Sequence, residues 1–297
     1  MGQGIANNLV KSGKKLVVWN RTMATSEAFV ADRAGCEAAK TPKEVVEKCE
    51  LTYLMLSDLK ASRRATIVMH FVCVHSAVYE GPDGVIAGVC TGKKIVDCAT
   101  LTPEHMTELD GLVTAKGGVF LEAPVSGSKG QAAGGTLIFL CGGSEALFEE
   151  VKAGMSGEGE APLGKAAHFL GATGAGSRMK LVVNMTMGGM MNCLVEGMTL
   201  AEAADLDQST LLTVLDQGAL ANPMFKGKGK MILEGNFAPQ FPLKHQQKDM
   251  RFAVDLGDRL GVALPVAAAA NEQFKRARSD YGDEDFCALY KAAKGTK

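Results

Sequence analysis

The chain has no Cys-x-x-Cys pair, no cysteine beside a histidine at zinc-ligand spacing, and no apolar run long enough to span a bilayer. Its eight cysteines, Cys36, Cys49, Cys73, Cys90, Cys98, Cys141, Cys193 and Cys287, are scattered. That distribution fits a reducing compartment better than a disulfide framework, so each is expected to be a buried, inert thiol and no metal site is expected. Long runs of one charge are missing as well. The 32 Lys and Arg nearly cancel the 33 Asp and Glu, which argues against a nucleic-acid or anionic-membrane partner. The opening Met1-Gly2-Gln3-Gly4-Ile5 lacks the basic-then-apolar order of a secretory leader, and the end, Lys294-Gly295-Thr296-Lys297, matches no peroxisomal tripeptide. A cytoplasmic location is the expectation, with an organelle address as the alternative if residues precede Met1.

What is present is enough apolar sequence, 46% of 297 residues, for one large domain or two ordinary ones. Short β-branched runs at 16–19, 51–56, 94–97, 119–122 and 136–140 alternate with helical patterns. Near-continuous apolar strands separated by helices predict a parallel sheet covered on both faces. Thr41-Pro42 and Thr102-Pro103 each pair a capping hydroxyl with a proline at the first helical position. After the glycine-rich stretch 171–176 the strand patterns stop. Residues 177–204 contain no proline and predict one long helix, with further helices around 211–215, 246–260 and 266–278. The expected architecture is a Rossmann-like, doubly wound α/β domain over residues 1–171 followed by an all-helical domain over 172–297, with a cleft between them.

Several stretches carry candidate chemistry. Trp19-Asn20-Arg21-Thr22 ends an early strand, where a dinucleotide-binding fold meets the adenosine ribose. An acidic residue there favours NAD, whereas an arginine pairs with the 2′-phosphate of NADP. Arg21, flanked by Asn20 and Thr22, points to NADP(H), although an exposed turn arginine accounts for it equally well alone. Gly2 stands where the last glycine of a Gly-x-Gly-x-x-Gly turn opens its helix; this fragment is weak as a motif. Successive amides and hydroxyls of Ser126-Gly127-Ser128 suit a carboxylate, with an ordinary strand-to-helix turn as the plainer account. Lys180 and Asn184 share one helical face among Met179, Leu181, Val182, Val183 and Met185. Two such polar groups are costly there unless they meet a ligand or an open cleft. Lysine titrates at roughly 10.4 unperturbed, and burial lowers that value, so Lys180 is a candidate proton donor to the alkoxide formed when hydride reaches a carbonyl. A lysine snorkelling from a surface helix remains the bland alternative. Lys244-His245-Gln246-Gln247-Lys248-Asp249 places more charge at another helix start, as capping or as a cation beside the cofactor or substrate.

In order along the chain, Trp19-Asn20-Arg21-Thr22, Glu122-Ala123-Pro124-Val125-Ser126-Gly127-Ser128, Gly135-Thr136-Leu137, the run 176–184 and His245-Gln246-Gln247-Lys248-Asp249 resemble the β-hydroxyacid dehydrogenase family, most closely its glyoxylate and succinic semialdehyde reductase branch. The resemblance spans nearly the whole chain. It implies NADPH-dependent reduction of a small aldehyde acid, glyoxylate to glycolate or succinic semialdehyde to 4-hydroxybutyrate. It implies Lys180 as general acid, Asn184 as substrate-orienting residue and the Ser126, Gly127 and Ser128 loop as carboxylate holder. Thr100 matches a cofactor-contacting threonine, Lys248 the lysine near the nicotinamide, and Phe241 and Asp249 residues lining the cleft. A homodimer or homotetramer joined through the helical domain is also implied.

Two departures stand out. The family begins with a strand and a Gly-x-Gly turn ahead of the Met-Gly pair that opens this chain. A central strand, placed between those containing Val17 and Val96, is therefore expected to be missing and its neighbours to lack ladder partners. The run 63–75 has no family counterpart, looks strand-like, and is a candidate to fill that slot. A glycine- and glutamate-rich insertion near 155–162 is expected to lengthen a surface loop. The alternatives are a 3-hydroxyisobutyrate dehydrogenase, against which Arg21 argues, and a truncated pseudoenzyme acting through its helical domain, against which Lys180 argues.

Overall fold

A computed structural model describes residues 1–56 and 78–295, so the run 63–75 lies outside the described residues. The chain divides into two compact units, Met1–Lys180 and Leu181–Lys297. In the first, α1 (Gly2–Lys11), β1 (Val17–Val18), α2 (Met23–Val30), β2 (Glu37–Ala38), α3 (Pro42–Lys48) and β3 (Leu51–Leu54) alternate. They are followed by α4 (Val85–Gly88), β4 (Lys94–Asp97), α5 (Pro103–Ala115), β5 (Val119–Glu122) and β6 (Val125–Ser126). Then come α6 (Lys129–Ala133), β7 (Leu137–Gly143), α7 (Glu145–Met155) and β8 (Gly164–Phe169). The helix starts follow local chemistry: Thr41 Oγ1 accepts the Glu44 amide at 3.1 Å and Thr102 Oγ1 the His105 amide at 3.3 Å, each with proline next in the helix.

The main sheet has the order β3-β4-β5-β7-β6, with β8 beside β7. Strands β3, β4 and β5 are parallel. Strand β7 runs antiparallel to β5 and to β6, so the far edge departs from the all-parallel pattern expected from apolar runs. Only residues 127–136 join β6 to β7, fewer than the dozen or so that a parallel crossover requires. Residues 157–160, in the inserted loop ahead of β8, are exposed.

Strands β1 and β2 form a separate parallel sheet. A cavity of about 410 Å³ is lined by Val17 and Val18 from one sheet and by Leu51, Tyr53 and Met55 from the other. Among the described residues the two sheets are not joined across this cavity, and the expected neighbours of that gap need one correction. Strand β4, which carries Val96, is paired on both edges, and β3 is the strand facing the cavity. Glu50 and Leu54 carbonyls accept from Lys94 and Cys98, so the alternation of a parallel ladder turns the Leu51 and Tyr53 peptide groups the other way, towards the cavity side.

Helix α8 (Ala175–Ala203) is 29 residues long and carries the chain from the first unit into the second. The division therefore falls four residues beyond the glycine-rich stretch 171–176, because the first turn of α8 is tied to the sheet of the first unit. The second unit continues with α9 (Gln208–Gln217), α10 (Pro223–Leu233), α11 (Leu243–Leu260), α12 (Pro265–Tyr281), a 3-10 turn (Phe286–Ala288) and α13 (Leu289–Lys294). Its core joins Met191, Leu194, Met198, Met250, Phe274 and Phe286. Gly188 lets α8 approach α11: a Cβ there would lie 2.4 Å from the Met250 sulfur. Among the described residues no helix is long and apolar enough to cross a membrane, and no cluster of potential metal ligands occurs.

Candidate active site

The adenosine end of a dinucleotide site can be built from the first unit alone. Gly2 opens α1, which has no side-chain cap and no acidic residue in its first turn. Uncapped amides at the positive end of a helix favour a phosphate. Asn20 Oδ1 accepts the Thr22 amide at 2.9 Å, closing a tight turn after β1, and Thr22 makes no capping bond with its own side chain. Asn20 and Arg21 are exposed. Both line the same cavity as Gly2 and Leu56. The guanidinium and the α1 terminus thus serve one space, which fits a phosphorylated adenosine. Thr100 follows a rigid segment: buried Asp97 accepts the Tyr79 hydroxyl at 2.7 Å and the Ala99 amide at 2.8 Å. Burial, with the Asp97 charge beside it, pushes the Tyr79 phenol well above its ordinary pKa, so Tyr79 stays a donor.

The carboxylate-holding candidates lie just beyond β5. Ser126 pairs with Ile138 in β6, and Gly127 has a φ of 134°, a region that excludes most side chains. A Cβ at Gly127 would also lie 2.8 Å from Leu137 Cδ2. The Ser128 amide and hydroxyl both reach Gln131 Oε1, at 2.9 and 2.6 Å, fixing the loop where α6 begins.

Lys180 and Asn184 sit one turn apart on α8, and they are 6% and 2% exposed. These low exposures set aside the snorkelling account of Lys180. In the second unit Asn184 Nδ2 donates to Asp249 Oδ2 at 2.6 Å, while Asp249 Oδ1 lies 3.2 Å from Lys248 Nζ. The Asn184 carbonyl accepts from Gln246 Nε2 at 2.9 Å. Asn184, Asp249 and Lys248 are therefore brought together as one buried polar group, with the ammonium of Lys248 5.2 Å above the Phe252 ring. Phe241 packs edge-on to Phe286 at 5.9 Å, and its amide donates to Asp285 Oδ2 at 3.1 Å. Asp285 is fully buried and its other oxygen accepts Lys228 Nζ at 2.8 Å.

Three supporting residues were not singled out from the sequence. Glu122, Asp97 and Asp285 are each fully buried carboxylates. A charge closing the apolar strand 119–122 was the available signal for Glu122, but its partners lie more than fifty residues away. Expected burial of every thiol needs correction too. Cys98, Cys141 and Cys287 are buried, whereas Cys90 and Cys193 are exposed. Burial pushes the Cys141 thiol up to about 12, so it stays protonated and inert.

Comparison with known proteins supports the same assignment. A family model for the NAD binding domain of 6-phosphogluconate dehydrogenase matches residues 1–161. A second, for the NAD-binding domain of NADP-dependent 3-hydroxyisobutyrate dehydrogenase, matches residues 174–293. The chain is 45% identical over 295 residues to glyoxylate/succinic semialdehyde reductase 1 of Arabidopsis thaliana, covering 99% of this chain and 95% of that protein. It is 40% identical over 293 residues to the human cytokine-like nuclear factor N-PAC, but there it spans only 49% of the relative's length. Among solved structures, 3-hydroxyisobutyrate dehydrogenase of Salmonella typhimurium superposes with a TM-score of 0.82 at 24% identity, covering 98% of this chain and 95% of that one. That of Mycobacterium tuberculosis gives 0.80 at 22%, covering 99% and 96%. Both likenesses speak for the fold. The chain belongs to the β-hydroxyacid dehydrogenase family, a family of nicotinamide-dependent oxidoreductases acting on CH–OH groups.

Proposed function

We propose that the protein reduces a small aldehyde acid with NADPH, glyoxylate to glycolate or succinic semialdehyde to 4-hydroxybutyrate, with Lys180 as proton donor. The carrying observation is the buried Lys180 and Asn184, one helical turn apart, with Asn184 held by Asp249. When bound, the dinucleotide supplies the hydride. The chain's own residues supply the rest. Amides and hydroxyls of Ser126, Gly127 and Ser128 hold the substrate carboxylate. The Asn184 side chain, oriented through Asp249, positions the substrate. Lys180 Nζ gives a proton to the carbonyl oxygen as negative charge grows there, so the aldehyde becomes an alcohol and the lysine leaves as the neutral amine. Thr100 serves the cofactor, Lys248 its nicotinamide end, and Phe241 the substrate. Asn20, Arg21 and Thr22 hold the ribose phosphate, and Arg21 selects NADP(H) over NAD(H).

The reductase of Arabidopsis thaliana, whose name pairs glyoxylate with succinic semialdehyde, supports this substrate class. The test is NADPH oxidation with glyoxylate, succinic semialdehyde and 3-hydroxyisobutyrate's oxidised partner offered separately. Turnover of one of the first two is expected; turnover of the third alone moves the assignment to a 3-hydroxyisobutyrate dehydrogenase. A second reading, a non-catalytic chain acting through its helical unit, is favoured by the interrupted sheet beside the cofactor cavity. Failure to bind NADPH at all selects it.

Self-association belongs to the same proposal. The second unit carries an apolar cavity of about 850 Å³ lined by Met190, Leu211, Leu215 and Phe225. Leu220 and Val266 on its rim are 60% and 70% exposed. A second copy of the chain, docked there, removes this surface from water.

A further inference from the structure

The Glu122 carboxylate meets four donors, and all of them come from the segment 174–177. Oε1 accepts the amides of Gly174 at 2.6 Å and Gly176 at 2.8 Å. Oε2 accepts the Ser177 amide at 3.3 Å and the Ser177 hydroxyl at 2.5 Å. These residues are the approach and first turn of α8, where helix amides have no partner of their own. A fully buried carboxylate is costly to hold unless donors replace its water. Here the donors are the orphan amides at the positive end of a 29-residue helix, so each side satisfies the other.

The surrounding glycines show how closely the parts are fitted. A Cβ at Gly142 would lie 2.7 Å from Glu122 Oε1, and one at Gly176 would lie 2.2 Å from the Leu140 carbonyl oxygen. The start of α8 is thus pressed against β7 on one side and gripped by Glu122 on the other. Ser177 and Lys180 are three residues apart, about 4.5 Å along the axis at the usual helical rise. Glu122 also ends β5, the strand that leads into the Ser126, Gly127 and Ser128 loop.

We infer that Glu122 is a positioning residue for Lys180: by pinning the first turn of α8 to the end of β5, it fixes the direction from which the ammonium reaches the reacting oxygen. This rests on Lys180 as proton donor. Glu122 touches neither substrate nor cofactor in this role. It sets the distance between the lysine and the loop that holds the carboxylate, and a displacement of about 1 Å in such a geometry costs on the order of a hundredfold in rate.

The test is steady-state kinetics of Glu122→Gln, Ser177→Ala and Gly176→Ala, each alone and on a Lys180→Ala background. Glu122→Gln turns an NH₂ towards amide donors and is expected to lower kcat at least about tenfold, with KM and NADPH affinity within about twofold. Gly176→Ala displaces the same turn without altering the carboxylate and is expected to give the same split. Ser177→Ala removes one donor and keeps the backbone, with a smaller fall in kcat; it carries the test should the other two not fold. On the Lys180→Ala background all three are expected to leave the residual rate unchanged, because the group they aim is gone. An undiminished kcat in folded Glu122→Gln or Ser177→Ala overturns the inference. So does an equal fall with and without Lys180, which marks a general structural role. Full activity in Lys180→Ala itself sinks the proton-donor reading instead, so the two failures are distinct.

Discussion

Arg21 is the side chain proposed to select the cofactor. It stands at the end of β1 beside Asn20 and lines the cavity that the α1 terminus also faces. Arg21→Asp replaces a cation aimed at a 2′-phosphate with an acceptor for a 2′-hydroxyl. The kcat/KM ratio of NADPH to NADH is expected to fall at least about tenfold, the equivalent of losing roughly 1.4 kcal/mol of selective binding. An unchanged ratio removes Arg21 from that role. The place of Arg21 after a strand was legible in the sequence because it depends on one local fact, the end of a β-branched run. Thr41 and Thr102 were legible for the same reason. Glu122, Asp97 and Asp285 were not, since their roles come from partners supplied by distant turns of the chain.

At the scale of elements, the Asp285 and Lys228 pair joins α10 to the turn that presents Phe241. Asp285 also accepts the Gln240 and Phe241 amides at 3.0 and 3.1 Å, and Lys228 lies 4.9 Å above the Phe286 ring. Lys228→Ala strands a fully buried carboxylate and is expected to cost about 3–5 kcal/mol, read as a lowered midpoint in denaturant unfolding. A change below about 1 kcal/mol, the size of a surface pair, contradicts the description of this site.

The break between β1 and β3 makes a second claim at that scale. An apolar strand of four residues and a glycine turn joined ahead of Met1 would give the turned-out peptide groups of Leu51 and Tyr53 partners across the cavity. It is expected to raise Tm by at least about 3 °C and to tighten NADPH binding. An unchanged Tm means that the cavity is not a strand slot. The sequence reading misplaced the neighbour of this cavity, because right-handed crossovers set β3 rather than β4 beside it. Strand β8, with the sequence Gly-Lys-Ala-Ala-His-Phe, went unread for a different reason: it has no β-branched residue, and only its pairing with β7 makes it a strand.

For the whole molecule, the alternation of strand and helix up to β8 and the helices beyond it followed from the change in pattern near Gly171. Periodicity carries that much. What it does not carry is the point where the units divide, because α8 runs straight through it. Self-association is a property of the assembled molecule, and Val266→Asp tests it. A charge on the rim of the apolar cavity is expected to shift sedimentation from an oligomer to a monomer while leaving the far-UV spectrum unchanged. A monomeric parent chain, or an undisturbed oligomer in the variant, rules out this face.

The central claim is the chemistry of Lys180, and its most direct test is turnover of glyoxylate or succinic semialdehyde by Lys180→Ala beside the parent chain, with NADPH affinity measured on both. The account predicts a fall in kcat of about 10²–10⁴-fold, the usual contribution of a general acid, with NADPH affinity within about twofold. A variant that turns over at the parent rate would contradict it.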